Sequence, residues 1–258
     1  MGILNATPDS FFSGSRLFTD EEVLRQAARM MEDGADILDV GGISTRPGAA
    51  DIPVSEEQSR VIGAISTIKK HFPDAIISCD TYRSEVASAA VEEGASIIND
   101  VTGGEGDKKM FEVVSRLGVP YVLMHMRGTP ETMTSLNQYE NLLLEIITWL
   151  QQKLRELTEY GVKDVIVDPG FGFAKSPSQN FELLKNLELL DVLDRPVLVG
   201  LSRKSMIWKT LGVTPEGALN GTTVLHSIAL MKGASIIRAH DVREAVETVK
   251  LLQQYKMA

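Results

Sequence analysis

VIVDPGFGF, residues 165–173, contains the pattern on which the fold prediction rests. Three β-branched residues favour a strand and run directly into Asp168. Pro169 ends the strand, because it has no N–H to donate and its φ is fixed. Gly170 and Gly172 allow a turn in which backbone can come close to a ligand. The stretch therefore predicts a buried strand that carries a carboxylate at its C-terminal end.

The same order of apolar strand, polar residue and loop recurs along the chain. We predict strands at residues 1–4, 36–40, 75–80, 96–100, 120–125, 165–168, 196–202 and 235–240. A helical pattern follows each strand, and this alternation indicates a parallel sheet. Eight units in 258 residues favour an α/β fold of the closed (β/α)8 TIM barrel type, in a single domain covering residues 1–258. An open Rossmann sheet is disfavoured, because residues 5–8, NATP, lack the Gly-rich fingerprint that usually follows its first strand.

Two helix starts carry the spacing of a capping box. Thr19 is followed three residues later by Glu22, and Ser55 by Gln58. In this motif the side chain of the capping Ser or Thr accepts from the backbone N–H of the third helical residue. The Glu or Gln side chain of that third residue accepts from the backbone N–H of the capping residue. We therefore predict side-chain caps at Thr19 and at Ser55.

The composition is that of an ordinary globular protein, with 43% hydrophobic and 24% charged residues. The net charge of −9 argues against a nucleic-acid partner, although a local cluster of cations could still bind an anionic substrate. No apolar run reaches the ~18 residues of a membrane span, and no signal-peptide pattern opens the chain. The lone cysteine, Cys79, fits a reducing compartment. We therefore expect a cytoplasmic protein.

Polar side chains end almost every predicted strand, and in a parallel barrel these ends meet at the face where barrel enzymes work. A single such residue is often only a cap or a satisfied core hydrogen bond, but convergence from seven strands favours a site. One set combines carboxylates, an amide and an ammonium group, which suits the edge of a flat polar heterocycle. Its members are Asp80, Asn99, Asp168 and Lys204. A second set, Asn5, Arg238 and His240, offers groups suited to an oxyanion such as a phosphate.

Several other kinds of chemistry are disfavoured by the sequence. One cysteine and four scattered histidines give no zinc-site spacing. Mg²⁺ needs few protein ligands where substrate phosphates supply the rest, so Asn5 beside a diphosphate would be enough. Neither Ser44 nor Ser202 lies in a nucleophile elbow, and no Walker A pattern occurs.

Seven segments, in chain order, carry a family pattern. They are MGILNATPDSF (1–11), GGISTRPG (41–48), CDTYR (79–83), IIND (97–100), DPGFGF (168–173), GLSRKS (200–205) and RAHDV (238–242). On these segments the chain resembles the dihydropteroate synthases. The TPDSF and STRPG loops are the specific part, since the strands alone would fit many barrels. Family members usually carry a further segment upstream of the MGILN stretch.

The resemblance implies a transferase that condenses 7,8-dihydropterin-6-ylmethyl diphosphate with p-aminobenzoate, giving 7,8-dihydropteroate and pyrophosphate. The implied pterin-binding residues are Asp80, Asn99, Met124, Asp168, Phe173 and Lys204. The implied diphosphate-binding residues are Asn5, Arg238 and His240, with Mg²⁺ held at Asn5. The implied p-aminobenzoate and loop residues are Thr7, Ser10, Phe11, Ser44, Thr45, Arg46, Pro47 and Ser205. The implied catalytic residues are Asp80, Lys204, Arg238, His240 and Asp9.

The resemblance also implies a mechanism and partners. Pyrophosphate leaves readily once its developing charge is stabilised, and Asp80 would stabilise a pterin cation, so we expect an S_N1-like path. A homodimer and competitive binding of sulfonamides are further expectations from the family.

Two other functions compete with this interpretation. A pterin-binding barrel that transfers a methyl group from methyltetrahydrofolate to a corrinoid would share Asn99 and Asp168 but would not need the diphosphate set or the two loops. A non-catalytic pterin-binding protein would need neither a leaving-group site nor closing loops. Activity with both substrates distinguishes all three.

Overall fold

A parallel β-barrel forms the centre of the molecule. The computed structural model describes residues 1–7, 19–43, 52–129 and 132–258. Within these ranges eight strands follow one another along the chain. They are β1 (Gly2–Asn5), β2 (Ile37–Gly41), β3 (Ile76–Asp80), β4 (Ile97–Asp100), β5 (Tyr121–Met124), β6 (Val165–Asp168), β7 (Leu198–Val199) and β8 (Ile236–Ile237).

Backbone hydrogen bonds close the strands into a ring. Strands β1 to β6 pair in chain order, all parallel, and β7 pairs with β8. The Val167 N–H donates to the Pro196 carbonyl at 2.9 Å and so joins β6 to β7. The Ile3 N–H donates to the Ala239 carbonyl, and the Ala239 N–H to the Met1 carbonyl, both at 3.0 Å, which joins β8 to β1. The predicted (β/α)8 barrel is therefore confirmed.

Helices surround the barrel and connect its strands. They are α1 (Asp20–Glu32), α2 (Val54–His71), α3 (Ser84–Glu92), α4 (Met110–Leu117), α5 (Leu142–Glu159), α6 (Pro177–Lys185), α7 (Ser205–Leu211), α8 (Leu219–Met231) and α9 (Val242–Met257). Short 3₁₀ turns lie at Met133–Ser135, Leu187–Leu193 and Glu216–Ala218. None of the helices in the described ranges is both long and apolar enough to span a bilayer.

The helix starts test the two predicted capping boxes. At α1 the prediction is confirmed, because Thr19 accepts from the Glu22 N–H and Glu22 accepts from the Thr19 N–H. At α2 it is wrong: the helix begins at Val54, after Pro53, and no side chain caps it. Ser55 therefore lies inside the first turn. A capping box that we did not predict, Ser176 with Gln179, starts α6.

The barrel interior changes from apolar to polar along the strands. Each even-numbered strand carries an isoleucine, namely Ile37, Ile97, Ile166 and Ile236, within one apolar cluster. Two residues later on the same strands stand Asp39, Asn99, Asp168 and, directly after β8, Arg238. Side chains two positions apart in a strand share a face, and alternate strands fill one layer of a barrel. The isoleucines therefore form an apolar layer beneath a polar layer at the carboxyl ends of the strands.

Candidate active site

Arg238 joins the two residue sets that the sequence distinguished. Its Nε donates to Asp39 Oδ2 and its Nη2 to Asp80 Oδ2, each at 2.6 Å. Burial opposes the charged guanidinium, but the two carboxylates outweigh it and raise the pKa of Arg238. Burial also raises the pKa of Asp80 to about 7, and Arg238 opposes that rise. Arg238 of the oxyanion set and Asp80 of the heterocycle set thus belong to one hydrogen-bonded cluster.

Asn99 is part of the same cluster. Its side chain is buried, and its Nδ2 donates to Asp39 Oδ2 at 3.1 Å. Its neighbour Asp100 has a different role, because that carboxylate accepts from Thr102, Gly104 and the Tyr121 hydroxyl. Asp100 is therefore committed to the β4 turn, whereas Asn99 keeps its carbonyl oxygen for other contacts.

Asp168 and Lys204 form the second half of the site. Asp168 is 6% exposed, and its Oδ1 accepts from the Gly170 N–H at 2.7 Å. Burial raises the pKa of Asp168, and the positive charge of Lys204 opposes this rise. Lys204 Nζ donates to the Phe171 carbonyl and lies 4.6 Å from the centre of the Phe173 ring. Burial lowers the pKa of Lys204 to about 8, and Asp168 opposes this fall.

The glycines after β6 approach protein atoms, where we had expected a ligand. Gly170 has φ +71°, and a Cβ there would lie 2.0 Å from the His125 carbonyl oxygen. Gly172 has φ +80°, and a Cβ there would lie 2.9 Å from Lys204 Cδ. The turn needs glycine because it packs against β5 and against Lys204.

Met124 and Phe173 lie in one small apolar cluster next to the polar layer. Met124 is 3% exposed and ends β5, whose register pairs it with Asp168. Phe173 packs against this cluster from the turn after β6. The two side chains that we predicted as pocket walls therefore lie together, beside a buried carboxylate.

The remaining described candidates lie along the same face. Asn5 ends β1, in register with Gly41, and its side chain has no hydrogen bond to the described part of the chain. Thr7 is buried shortly after Asn5, and Ser205 is the first residue of α7. His240 is exposed, and both its N–H and its Nδ1 lie 3.1 Å from Ser202 Oγ.

Seven predicted loop residues lie outside the described residues. They are Asp9, Ser10, Phe11, Ser44, Thr45, Arg46 and Pro47.

Two buried charged residues of this face were missing from the predictions. Asp39 is fully buried in the middle of β2, and we had looked only at strand ends. The recurrence of isoleucine, any residue, then a polar residue in β2, β4, β6 and β8 is the signal that would have found it. Lys175 is 8% exposed and donates to Gly170 O at 2.9 Å, to Phe173 O at 3.0 Å and to His125 Nδ1 at 3.2 Å. It therefore ties the β6 turn to β5, and no sequence periodicity marks it.

Metal ligands are sparse at this face. Over the ranges described, no three His, Cys, Asp or Glu side chains are grouped as a metal site would require. The amide oxygen of Asn5 is a hard donor of the kind that Mg²⁺ prefers. Among the described residues of this face, Mg²⁺ would therefore need a bound anion to supply most of its ligands.

Comparison with known proteins gives consistent results. A family model described as pterin binding enzyme matches residues 1–240. The dihydropteroate synthase of Clostridium beijerinckii is 42% identical over 254 residues, which cover 97% of this chain and 91% of that protein. The folic acid synthesis protein fol1 of Schizosaccharomyces pombe is 44% identical over 96% of this chain, but the match spans only 35% of that longer protein.

Solved structures agree with the sequence comparisons. The dihydropteroate synthase of Yersinia pestis, in a sulfonamide drug complex, superposes with a TM-score of 0.95 at 37% identity, covering 100% of this chain and 94% of that chain. The Xanthomonas albilineans enzyme with 4-aminobenzoic acid gives 0.93 at 38% identity, covering 100% and 92%. These relatives favour dihydropteroate synthesis over the methyltransferase alternative.

Proposed function

The chain belongs to the dihydropteroate synthase family of pterin-binding enzymes, and we propose that it performs the family's reaction at the polar barrel face described above. It would join a 7,8-dihydropterin-6-ylmethyl diphosphate to p-aminobenzoate and release pyrophosphate. The observation that carries this assignment is Arg238 paired with Asp80, since it unites an anion-binding cation with a pterin-set carboxylate in one cluster. We also propose that residues 1–258 act as one catalytic domain.

Pterin recognition is assigned to the deeper part of the face. Asp168 Oδ2 has no hydrogen bond within the described ranges, so the carboxylate can accept from the N–C–NH₂ edge of a pterin. The Asn99 carbonyl can accept another ring N–H. Lys204 supplies a donor beside Asp168, while Met124 and Phe173 provide apolar walls.

The diphosphate is assigned to Asn5, Arg238 and His240. The Arg238 Nη1 makes no hydrogen bond to the described chain, so it can donate to phosphate oxygens. The Ser202 hydroxyl lies 3.1 Å from Nδ1 of His240 and helps to orient the imidazole ring at this face. Mg²⁺, held by Asn5 and the diphosphate, would supply further positive charge against the leaving group.

The second substrate is assigned to the outer part of the face. Thr7 and Ser205 bracket it among the described residues, and the proposed p-aminobenzoate loops belong to residues outside them, Asp9 to Phe11 and Ser44 to Pro47. The 4-aminobenzoic acid and sulfonamide complexes of the two solved relatives support a p-aminobenzoate subsite with which sulfonamides compete.

The chemistry follows from the charges. Arg238 and His240 stabilise pyrophosphate as the C–O bond breaks, and the pterin methylene carbon becomes positive. Asp80 stabilises that cation electrostatically, and the arylamine nitrogen then captures it and later loses a proton. A neutral arylamine needs no strong base to attack. We therefore propose the S_N1-like order, with exclusion of water as the requirement for a clean product.

The assembly and location are proposals as well. Helices α8 and α9 expose apolar side chains, among them Val224, Met231, Leu251 and Tyr255. Exposed apolar surface of this kind marks protein contacts. We propose a homodimer through these helices, in the cytoplasm.

The test of the proposed function is product identification. Purified protein is incubated with the pterin diphosphate, p-aminobenzoate and Mg²⁺, and the mixture is analysed by mass spectrometry. Dihydropteroate is expected only when both substrates are present. Binding of the pterin diphosphate without any dihydropteroate would leave the non-catalytic alternative.

A further inference from the structure

Asp39 lies at the centre of the site and has no assigned role. We propose that Asp39 is a positioning residue that aligns the pterin subsite with the diphosphate subsite and balances the charge of Arg238. This inference rests on the proposed function, because it concerns how the two subsites work together.

The location of Asp39 is the first argument. It lies in the middle of β2, is 0% exposed and faces the barrel interior. Its contacts are with β4 and with the end of β8, neither of which is hydrogen-bonded to β2 in the sheet. Asp39 therefore joins side chains across the interior, where alternate strands share a layer.

The hydrogen bonds give the second argument. Asp39 Oδ2 accepts from Arg238 Nε at 2.6 Å and from Asn99 Nδ2 at 3.1 Å. Holding Nε, together with Asp80 on Nη2, turns Nη1 of Arg238 away from the two carboxylates. Holding Nδ2 of Asn99 fixes which end of that amide is an acceptor toward a ligand. One oxygen atom thus orients one residue from each subsite.

Burial of this carboxylate costs stability. Asp39 Oδ1 is buried and has no hydrogen-bond partner within the described ranges. A buried polar atom without a partner is destabilising, and an apolar residue would fill the same space more favourably. Stability alone therefore does not account for an acid at this position.

The charges of Asp39, Asp80 and Arg238 determine how Asp39 would affect the reaction. When Asp80 is ionised, Asp39 and Asp80 together place two negative charges against the single positive charge of Arg238. With Asp39 present, the pairing leaves one net negative charge beside the reacting carbon. Without it, Arg238 would neutralise Asp80, and the developing pterin cation would lose its counter-charge. Asp39 acts through Asp80 and Arg238 and touches no reacting atom.

The test compares Asp39→Asn with Asp164→Asn. Asp164 is exposed and precedes β6 at the opposite end of the barrel, so its change to an amide removes the same charge away from the site. We measure kcat and KM for each substrate. For Asp39→Asn we expect kcat/KM for the pterin diphosphate to fall roughly 10- to 100-fold, the range found for residues that orient metal ligands. KM for p-aminobenzoate should stay within about twofold, and Asp164→Asn should match the wild type.

Each result decides the matter. Wild-type kinetics in Asp39→Asn would overturn the inference, and so would an equal rise in both KM values. If Asp39→Asn does not fold by circular dichroism, Asp39→Ser is measured in its place. Failure of both to fold would assign Asp39 to barrel stability and contradict the proposal. If the wild-type protein itself forms no dihydropteroate, the proposed function fails instead.

Discussion

Burial shifts the pKa values of Asp80 and Lys204 toward neutral pH, upward for the carboxyl group and downward for the ammonium group. The pKa of Asp80 is raised to about 7 and that of Lys204 is lowered to about 8. Asp80 is faced by Arg238, which opposes the rise, and by Asp39, Glu57 and Asp100, which add to it. The proposed chemistry needs Asp80 ionised and Lys204 protonated, so both groups limit the pH range of activity.

We therefore predict a bell-shaped pH profile for kcat/KM of the pterin diphosphate. Activity should fall below about pH 7, where Asp80 takes up a proton, and above about pH 8, where Lys204 loses one. Asp80→Asn should lower kcat and remove the acid limb. An unchanged kcat, or an acid limb that persists in Asp80→Asn, would contradict the role given to this carboxylate.

A second residue-scale prediction concerns Lys204. Lys204→Ala should lower kcat/KM for both substrates by roughly 100-fold, through loss of a charge-assisted donor worth about 3 kcal/mol. Lys209→Ala is the control, because Lys209 is an exposed lysine of α7, the helix that Lys204 immediately precedes. Steady-state kinetics decide the matter, and wild-type kcat/KM in Lys204→Ala would remove it from the site.

At the residue scale, the sequence predicted side chains at strand ends and missed those inside strands. Asp168 and Asn99 stand directly at or next to the ends of β6 and β4, where motif and position agree. Asp39 lies two residues before the end of β2, where the recurring isoleucine pattern could have marked its position. Its proposed role rests on contacts between distant strands, which are a tertiary property.

The turn after β6 illustrates how an element positions the site. Gly170 approaches the backbone of His125, and Lys175 fastens the same turn through Gly170 O and Phe173 O. Asp168 accepts from the Gly170 N–H, so the turn also orients that carboxylate. The shape of the pterin pocket thus depends on glycine at this position.

Comparing Gly170→Ala with Gly212→Ala separates the cost of a left-handed backbone from the cost of a steric overlap. Both glycines have similar positive φ, +71° and +67°, but a Cβ at Gly212 meets no atom within 4 Å. Gly212→Ala should lower the free energy of unfolding by roughly 1–2 kcal/mol, the cost of left-handed backbone. Gly170→Ala should lower it further, since its Cβ would overlap the His125 carbonyl, and should weaken pterin binding. Denaturant unfolding measures the difference, and equal losses in the two variants would contradict this account.

Helix and strand boundaries were predicted less well than element order. The capping box at Thr19 was confirmed because it needs only two side chains three residues apart. At α2 the helix starts after Pro53, ahead of the start expected at Ser55. Strands β7 and β8 pair over two residues each, shorter than the runs of apolar residues that predicted them. Apolar character extends beyond the paired residues, because residues flanking a strand are also buried.

At the scale of the whole molecule, the (β/α)8 barrel was predictable because eight apolar strands alternate with helical patterns. The strands from β1 to β6 pair in chain order, as expected because consecutive elements usually lie side by side. The proposed p-aminobenzoate subsite, by contrast, needed the family resemblance, since no local pattern assigns a substrate to a loop.

The proposed dimer gives a prediction at this scale. Light scattering coupled to size exclusion should give twice the chain mass, and Met231→Glu with Leu251→Glu should give monomers, because charge would be buried in the interface. Leu144→Glu is the control, because Leu144 is an exposed residue of α5. Monomeric wild-type protein, or dimers that survive both charges, would contradict the α8 and α9 interface.

The most direct measurement is a time course in which pyrophosphate and dihydropteroate are quantified in the same samples, with and without p-aminobenzoate. Capture of a pterin cation by the arylamine at the barrel face predicts equal amounts of the two products at every time point when p-aminobenzoate is present, and much slower pyrophosphate release when it is omitted. Pyrophosphate that accumulates without dihydropteroate in the presence of p-aminobenzoate would show that water takes the place of the amine. This face would then not join the two substrates.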